Sequence, residues 1–203
     1  MIAVLFLLAV AGDSPVLSFT KSFPGSIPAY VEVNIRQDGA SEYKEDPRDE
    51  NPIKLTLSAE ETETMFAMAE KMGYFAKPLE SGLKVAKMGE KTFRWMNGAE
   101  KKETTFNYSE DPDAKLLLDK FENIAETERV LIDLERAVRF DKLGVQSALL
   151  RLETVREGKR LMAPRQFLPM LDRVAKNESF LHMARARAAG LAESIRAENA
   201  GAK

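Results

Sequence analysis

The chain has 203 residues, with 30 basic and 32 acidic side chains, one histidine and no cysteine. Those counts exclude disulfides, thiol nucleophiles, thiolate metal sites and His-pair zinc sites, and a formal charge of −2 gives no overall pull toward nucleic acid or an anionic membrane. A hydrophobic fraction of 44% with 31% charged residues is ordinary for a folded chain of this length.

The run from Ile2 to Ala11 is uncharged and apolar, and Ala9-Val10-Ala11 has the small-x-small pattern of a signal-peptidase site. The expectation is a signal peptide over 1–11, cleavage near Ala11, and a periplasmic or secreted mature chain with no membrane span. The run is too short to cross a bilayer as a helix. No Lys or Arg precedes it.

Composition divides the rest. Residues 12–113 carry net −6 and residues 114–203 net +4, and all four Tyr and the only Trp lie in the first part. This predicts an α+β domain over 12–127 and a helical extension over 128–203. Val16 to Phe23 reads as a strand, broken by Pro24-Gly25-Ser26-Ile27-Pro28. Tyr30 to Arg36 alternates with β-branched residues, Asp38-Gly39 marks a hairpin turn, and Ala40 to Lys44 returns. A polar loop leads to a short strand over Ile53 to Leu57. Ser58-Ala59-Glu60-Glu61 is a capping box, opening a helix that runs through Met72 and stops at Gly73. Its inward face is Met65, Phe66, Met68, Ala69 and Met72. Tyr74 to Gly89 reads as irregular loop. A second hairpin pairs Lys91 to Met96 with Glu103 to Tyr108 around Asn97-Gly98.

Asp111-Pro112-Asp113 opens a long helix reaching about Phe140, with Leu117, Phe121, Ile124, Leu131, Leu134 and Val138 inward. Further helices are expected over Val145 to Arg156, Pro164 to Lys176 and Glu178 to Ala197, with Pro169 splitting the second of them. The fold class is therefore α+β: a small antiparallel sheet built from two hairpins with a capped helix, then about four C-terminal helices.

Ile27-Pro28-Ala29-Tyr30, followed by Val33, Ile35, Asp38-Gly39 and Tyr43, resembles an uncharacterised family of small bacterial exported domains. The resemblance covers about residues 16–127. It implies a Pro-x-Tyr strand, a D-G hairpin, a capped helix, another hairpin and a closing helix. The spacing from Tyr30 to Asp38 is one residue longer here, which reads as a bulge. Pro78 to Lys84 and Phe140 to Gly144 look like hypothetical exported proteins of acidobacteria. Neither resemblance implies an activity.

Ser81-Gly82-Leu83-Lys84 has the S-x-x-K spacing that places a nucleophile and a base one helical turn apart. Gly82, Pro78 and the lack of S-x-N and K-T-G partners oppose it. Two acidic clusters, Asp46/Asp49/Glu50/Asn51 and Glu110/Asp111/Asp113, offer oxygen ligands for calcium without the EF-hand pattern. Eight arginines from Arg151 to Arg196 are interspersed with acids, so helix-surface pairing such as Glu153 and Glu157 with Arg156 and Arg160 is preferred to a nucleic-acid face. His182 is read as structural or exposed. Phe93, Arg94 and Trp95 are the candidate partner-binding residues, and their role depends on which face of the hairpin Trp95 takes. The sequence thus points to an exported, non-enzymatic binding or structural module with no cofactor, whose partner is an envelope protein or polymer. A Ser81/Lys84 hydrolase and a calcium-stabilised interaction module are the alternatives.

Overall fold

A computed structural model of the chain describes residues 14–200. The apolar run over 2–11, and with it the expected cleavage site, lies outside the described residues. The strands are β1 (Val16–Ser22), β2 (Tyr30–Arg36), β3 (Ala40–Lys44), β4 (Ile53–Thr56), β5 (Glu90–Asn97) and β6 (Glu100–Phe106). The helices are α1 (Ala59–Lys71), α2 (Pro112–Phe140), α3 (Val145–Glu157), α4 (Leu168–Lys176) and α5 (His182–Ala200). The α+β class and the helical C-terminal part are as expected.

The two hairpins are joined into one antiparallel sheet of six strands, in the order β4-β3-β2-β1-β5-β6. The first strand does the joining. It pairs with β2 on one side and β5 on the other, over seven residue pairs each, from Val16↔Arg36 and Val16↔Met96 to Ser22↔Tyr30 and Ser22↔Glu90. That unbroken register leaves no room for the expected bulge in β2. The strand ends at the turn 37–39, where Gly39 has φ +85 and a Cβ would sit 2.7 Å from the Leu57 carbonyl oxygen.

Period-two alternation sends Leu17, Phe19, Val33, Ile35, Tyr43, Leu55, Phe93, Trp95 and Phe106 to one face, against α1 and α2. Phe93 is the hub of that core. Its ring lies 5.0–5.9 Å from those of Phe19, Phe75, Phe106 and Phe121. The capping box forms as expected, with the Glu61 amide donating to Ser58 Oγ and the Ser58 amide donating to Glu61. After α1, Gly73, Tyr74 and Phe75 all take positive φ, a reversal that buries Phe75 and lays Tyr74 on Trp95.

The long helix α2 serves two cores. Leu117, Phe121 and Ile124 enter the sheet core. From Val130 onward its inward residues pack with α3, α4 and α5 around Leu134, Leu149, Leu152, Phe167, Leu171 and Ile195. The helices after Pro112 therefore enclose a core of their own. The expected helix over 164–176 is a 3₁₀ turn (Pro164–Phe167) followed by α4, split where Pro169 sits in the first turn and its missing N–H costs nothing. The last helix starts at His182 rather than Glu178, because the Asn177 side chain captures the Ser179 amide and makes a turn. The arginine pairs join separate elements and do not run along one helix: Arg156 of α3 to Glu198 of α5, Arg187 of α5 to Glu153 of α3, and Arg160, in the chain after α3, to Glu126 of α2. No helix among the described residues is long and apolar enough to cross a membrane.

Candidate functional site

The strand alternation separates the three candidate binding residues. Phe93 and Trp95 point into the core, with Trp95 only 6% exposed, stacked on Tyr74 at 4.4 Å. Arg94 alone lies on the open face, where its Nε donates to Glu103 at 2.8 Å. Ser81 and Lys84 lie in irregular chain, not on a helix, with Gly82 at φ +71. The one-turn spacing required of an S-x-x-K dyad is therefore missing, and the Ser81 hydroxyl accepts from the Leu83 amide. The acidic clusters are spent locally. Asp46 receives the Arg48 amide and guanidinium, Asp49 receives the Asn51 amide, and Asp111 caps α2 through the Ala114 amide. Among the described residues no three acids or histidines converge as a metal would require. His182 is exposed at the first position of α5.

The helices cover one face of the sheet only. On the other face the antiparallel register makes cross-strand rows: Lys54–Glu42–Asn34–Ser18–Arg94–Glu103, and Lys44–Glu32–Thr20–Thr92–Thr105. Glu32 is the most heavily engaged member. It accepts from the Tyr30 hydroxyl and from Asn34 Nδ2 (2.9 Å), and it pairs with Lys44 at 3.4 Å. Burial pushes its carboxyl up, but those hydrogen bonds and the Lys44 charge outweigh it and leave the acid below its ordinary range. Burial and the same hydrogen bond push the Tyr30 phenol well above its usual value. These shifts favour the charged form of Glu32 and the uncharged form of Tyr30.

This face runs on to the sheet edge formed by β4. A groove of about 690 Å³ over the open face, lined in part by Glu32, Asn34 and Arg94, includes Lys54, Leu55 and Thr56 of that strand. A second groove, of about 520 Å³, lies beyond the same three residues and is walled by Ala163, Pro164, Arg165 and Gln166. The edge strand is thus bordered by open space on two sides.

The wall is held from behind by α2. The Met162 amide donates to Thr127 Oγ1 at 3.0 Å, and Gln166 Nε2 donates to Glu128 Oε1 at 2.7 Å. Glu128 is 0% exposed, and burial raises its carboxyl to about 7, with the Glu135 charge adding to the rise and the Gln166 bond opposing it. Among the described residues its second oxygen and Gln166 Oε1 are both buried without a hydrogen-bond partner. A proton on Glu128 turns an acceptor into a donor beside that amide, so the neutral acid is the form the site favours.

No protein-family model matches the chain, and no curated protein matches it significantly. The residues of this region rest on their geometry alone. Sequence reasoning passed over Glu128, Gln166 and the β4 edge, and the signal was faint. An acid midway along a charged helix reads as solvated, and an edge strand cannot be told from an inner one until the strand order is known.

Proposed function

We propose that the chain is an exported bacterial protein whose α+β part is a non-enzymatic binding module of the cell envelope, with the helical unit as a rigid extension. The observation that carries this reading is the β4 edge, which among the described residues is unshared and opens onto two grooves, beside a polar sheet face that no described helix covers. The polar groups of that face support binding over catalysis, since Tyr30, Glu32, Arg94 and Glu103 already hold one another in fixed positions. The partner is an envelope protein or polymer.

Three measurements test it. Expressed with its native N-terminus in a Gram-negative host, the protein is expected in the periplasm with an intact mass starting at Gly12. A cytoplasmic full-length species would remove the envelope. A fluorophosphonate probe is expected to leave the purified protein unlabelled, whereas stoichiometric acylation of Ser81 would replace the binding role with hydrolysis. Calcium is expected to leave the melting temperature where chelator leaves it. A large calcium-dependent rise would bring in a metal-stabilised module.

A further inference from the structure

Three consecutive residues of α2 hold one returning stretch of chain. Arg160 pairs with Glu126, the Met162 amide donates to Thr127 Oγ1 at 3.0 Å, and Gln166 Nε2 donates to Glu128 Oε1 at 2.7 Å. They lie where α2 leaves one interior for the other, between Ile124 of the sheet core and Val130 of the helical core. The held chain straddles the same boundary, with Met162 and Ala163 in the sheet core and Phe167 in the helical core. Its backbone is strained at two positions. Lys159 has φ +55 and Ala163 has φ +45, a region that a Cβ disfavours. Such a conformation persists only while its surroundings hold it.

The tie at Glu128 differs from the other two. The Arg160–Glu126 pair is partly exposed, so water shares its charges, and the Thr127 hydroxyl carries none. Glu128 is sealed, and as a carboxylate it leaves two buried acceptors, its own Oε2 and Gln166 Oε1, without a donor among the described residues. No cation offsets that charge. The charged group that acts on Glu128 is Glu135 of its own helix, which repels it. From β3 it faces the Tyr43 phenol, which donates to Glu45, and Arg129 pairs with the same Glu45 at 4.0 Å. Arg165, beside Gln166 in the 3₁₀ turn, is exposed. A single proton on Glu128 removes the charge and supplies the donor that the two orphaned acceptors lack.

We propose that Glu128 and Gln166 form a proton-operated clasp between α2 and the 160–167 segment, closed by the neutral acid and its amide partner and released when the carboxyl gives its proton to water. Release unpins the strained chain at the boundary of the two interiors. The groove beside β4 changes with it, since Ala163, Pro164, Arg165 and Gln166 are its wall. The clasp thus sets how firmly the helical unit is tied to the sheet unit, and it is independent of the address and the partner proposed above. Opening exposes the carboxyl to water, where it ionises as an ordinary glutamate. Rising pH therefore favours the open form and falling pH the closed one.

The test is amide exchange of the full chain, read residue by residue in the NMR spectrum and corrected for the intrinsic rate at each pH. The Met162 and Gln166 amides, bonded to Thr127 Oγ1 and to the Ala163 carbonyl, are expected to open at least about tenfold more often at pH 8 than at pH 5. Amides of β1 and α3 should stay protected far beyond them. Glu128→Gln offers Gln166 both a donor and an acceptor without a charge, so in that variant the two amides should open equally at both pH values. In the natural chain the carbon-13 shift of the Glu128 carboxyl should titrate together with the amide shifts of residues 160–167. Equal opening of the natural chain at both pH values overturns the proposal, as does a rise with pH that persists in Glu128→Gln. So does a rise shared equally by β1 and α3, which would leave Glu128 acting on global stability alone. A carboxyl that titrates while the amides of the segment stay unmoved also overturns it.

Discussion

One helix serves two interiors built on different principles. The N-terminal half of α2 meets a sheet packed with rings, where Phe121 stacks on Phe19 at 5.0 Å and both touch Phe93. The C-terminal half meets helices packed with aliphatic side chains and alanines. Ala184, Ala188 and Ala192 make a stripe at four-residue spacing along α5, which lets it lie close to its neighbours. Rings of fixed shape tie the sheet core to one arrangement. An alanine and leucine seam holds through many small contacts and tolerates exchange more readily. The sheet unit is therefore the part suited to presenting a fixed edge, and the helical unit is suited to holding it.

The comparison is broken most directly by emptying each core in turn. Phe121→Ala should cost about 3–5 kcal/mol in urea unfolding, because the cavity opens against the rings of Phe19 and Phe93. Leu152→Ala should cost about 2–5 kcal/mol. If the two interiors are cooperative units in their own right, hydrogen exchange will show the first variant loosening β1 and β5 and the second loosening α3 and α5. Loss of protection throughout in both variants would mean that α2 fuses them into one.

The next effect lies at the junction. Glu128 is neutral in the fold up to about pH 7 and ionised in the unfolded chain above its ordinary value near 4.5. The raised value favours the protonated form. Stability from this group is whole below pH 4.5, falls as pH rises toward 7, and stays lost above it, a total of about 3 kcal/mol. Glu128→Gln retains an amide partner for Gln166 and cannot ionise. At pH 8 it should be more stable than the natural chain, and at pH 4 nearly equal to it. Parallel stability curves for the two proteins between pH 4 and 8 would show that Glu128 does not carry a raised value.

Smaller effects sharpen the same contrast. Ser58→Ala removes the cap of α1 and should lower stability by about 1 kcal/mol, read from the shift in urea midpoint. Arg196→Ala breaks an exposed bridge between α5 and Asp172 of α4, and should change it by less than about 1 kcal/mol, with the difference vanishing in high salt. A larger loss would mean that the helical unit depends on its surface charges more than on its seam.

Much of this architecture is legible before any coordinates. Alternation from Tyr30 to Arg36 and the four- and three-residue spacing of Leu117, Phe121 and Ile124 identify strand, helix and buried face together, since burial on one side leaves a period in the residues. What is not legible is pairing at a distance. Nothing near Val16 says that it lies opposite both Arg36 and Met96, yet that double pairing makes one sheet out of two hairpins. The site fared less well for the same reason. Phe93-Arg94-Trp95 reads as one cluster along the chain, but a strand directs neighbours to opposite faces. Glu128 and Gln166 are 38 residues apart, and only the return of the chain after α3 brings them together.

The placement of the aromatic residues has an optical consequence. Trp95, the only indole, lies against the Tyr74 ring with the Lys102 ammonium 5.5 Å from its own, and all four phenols precede residue 109. The helical unit has neither chromophore. Light at 295 nm therefore excites the sheet unit alone, while far-ultraviolet dichroism is dominated by the helices. Indole emission thus reports the sheet unit, while the dichroism sums the helices of both halves, so coincident transitions would show without a label that they come apart together.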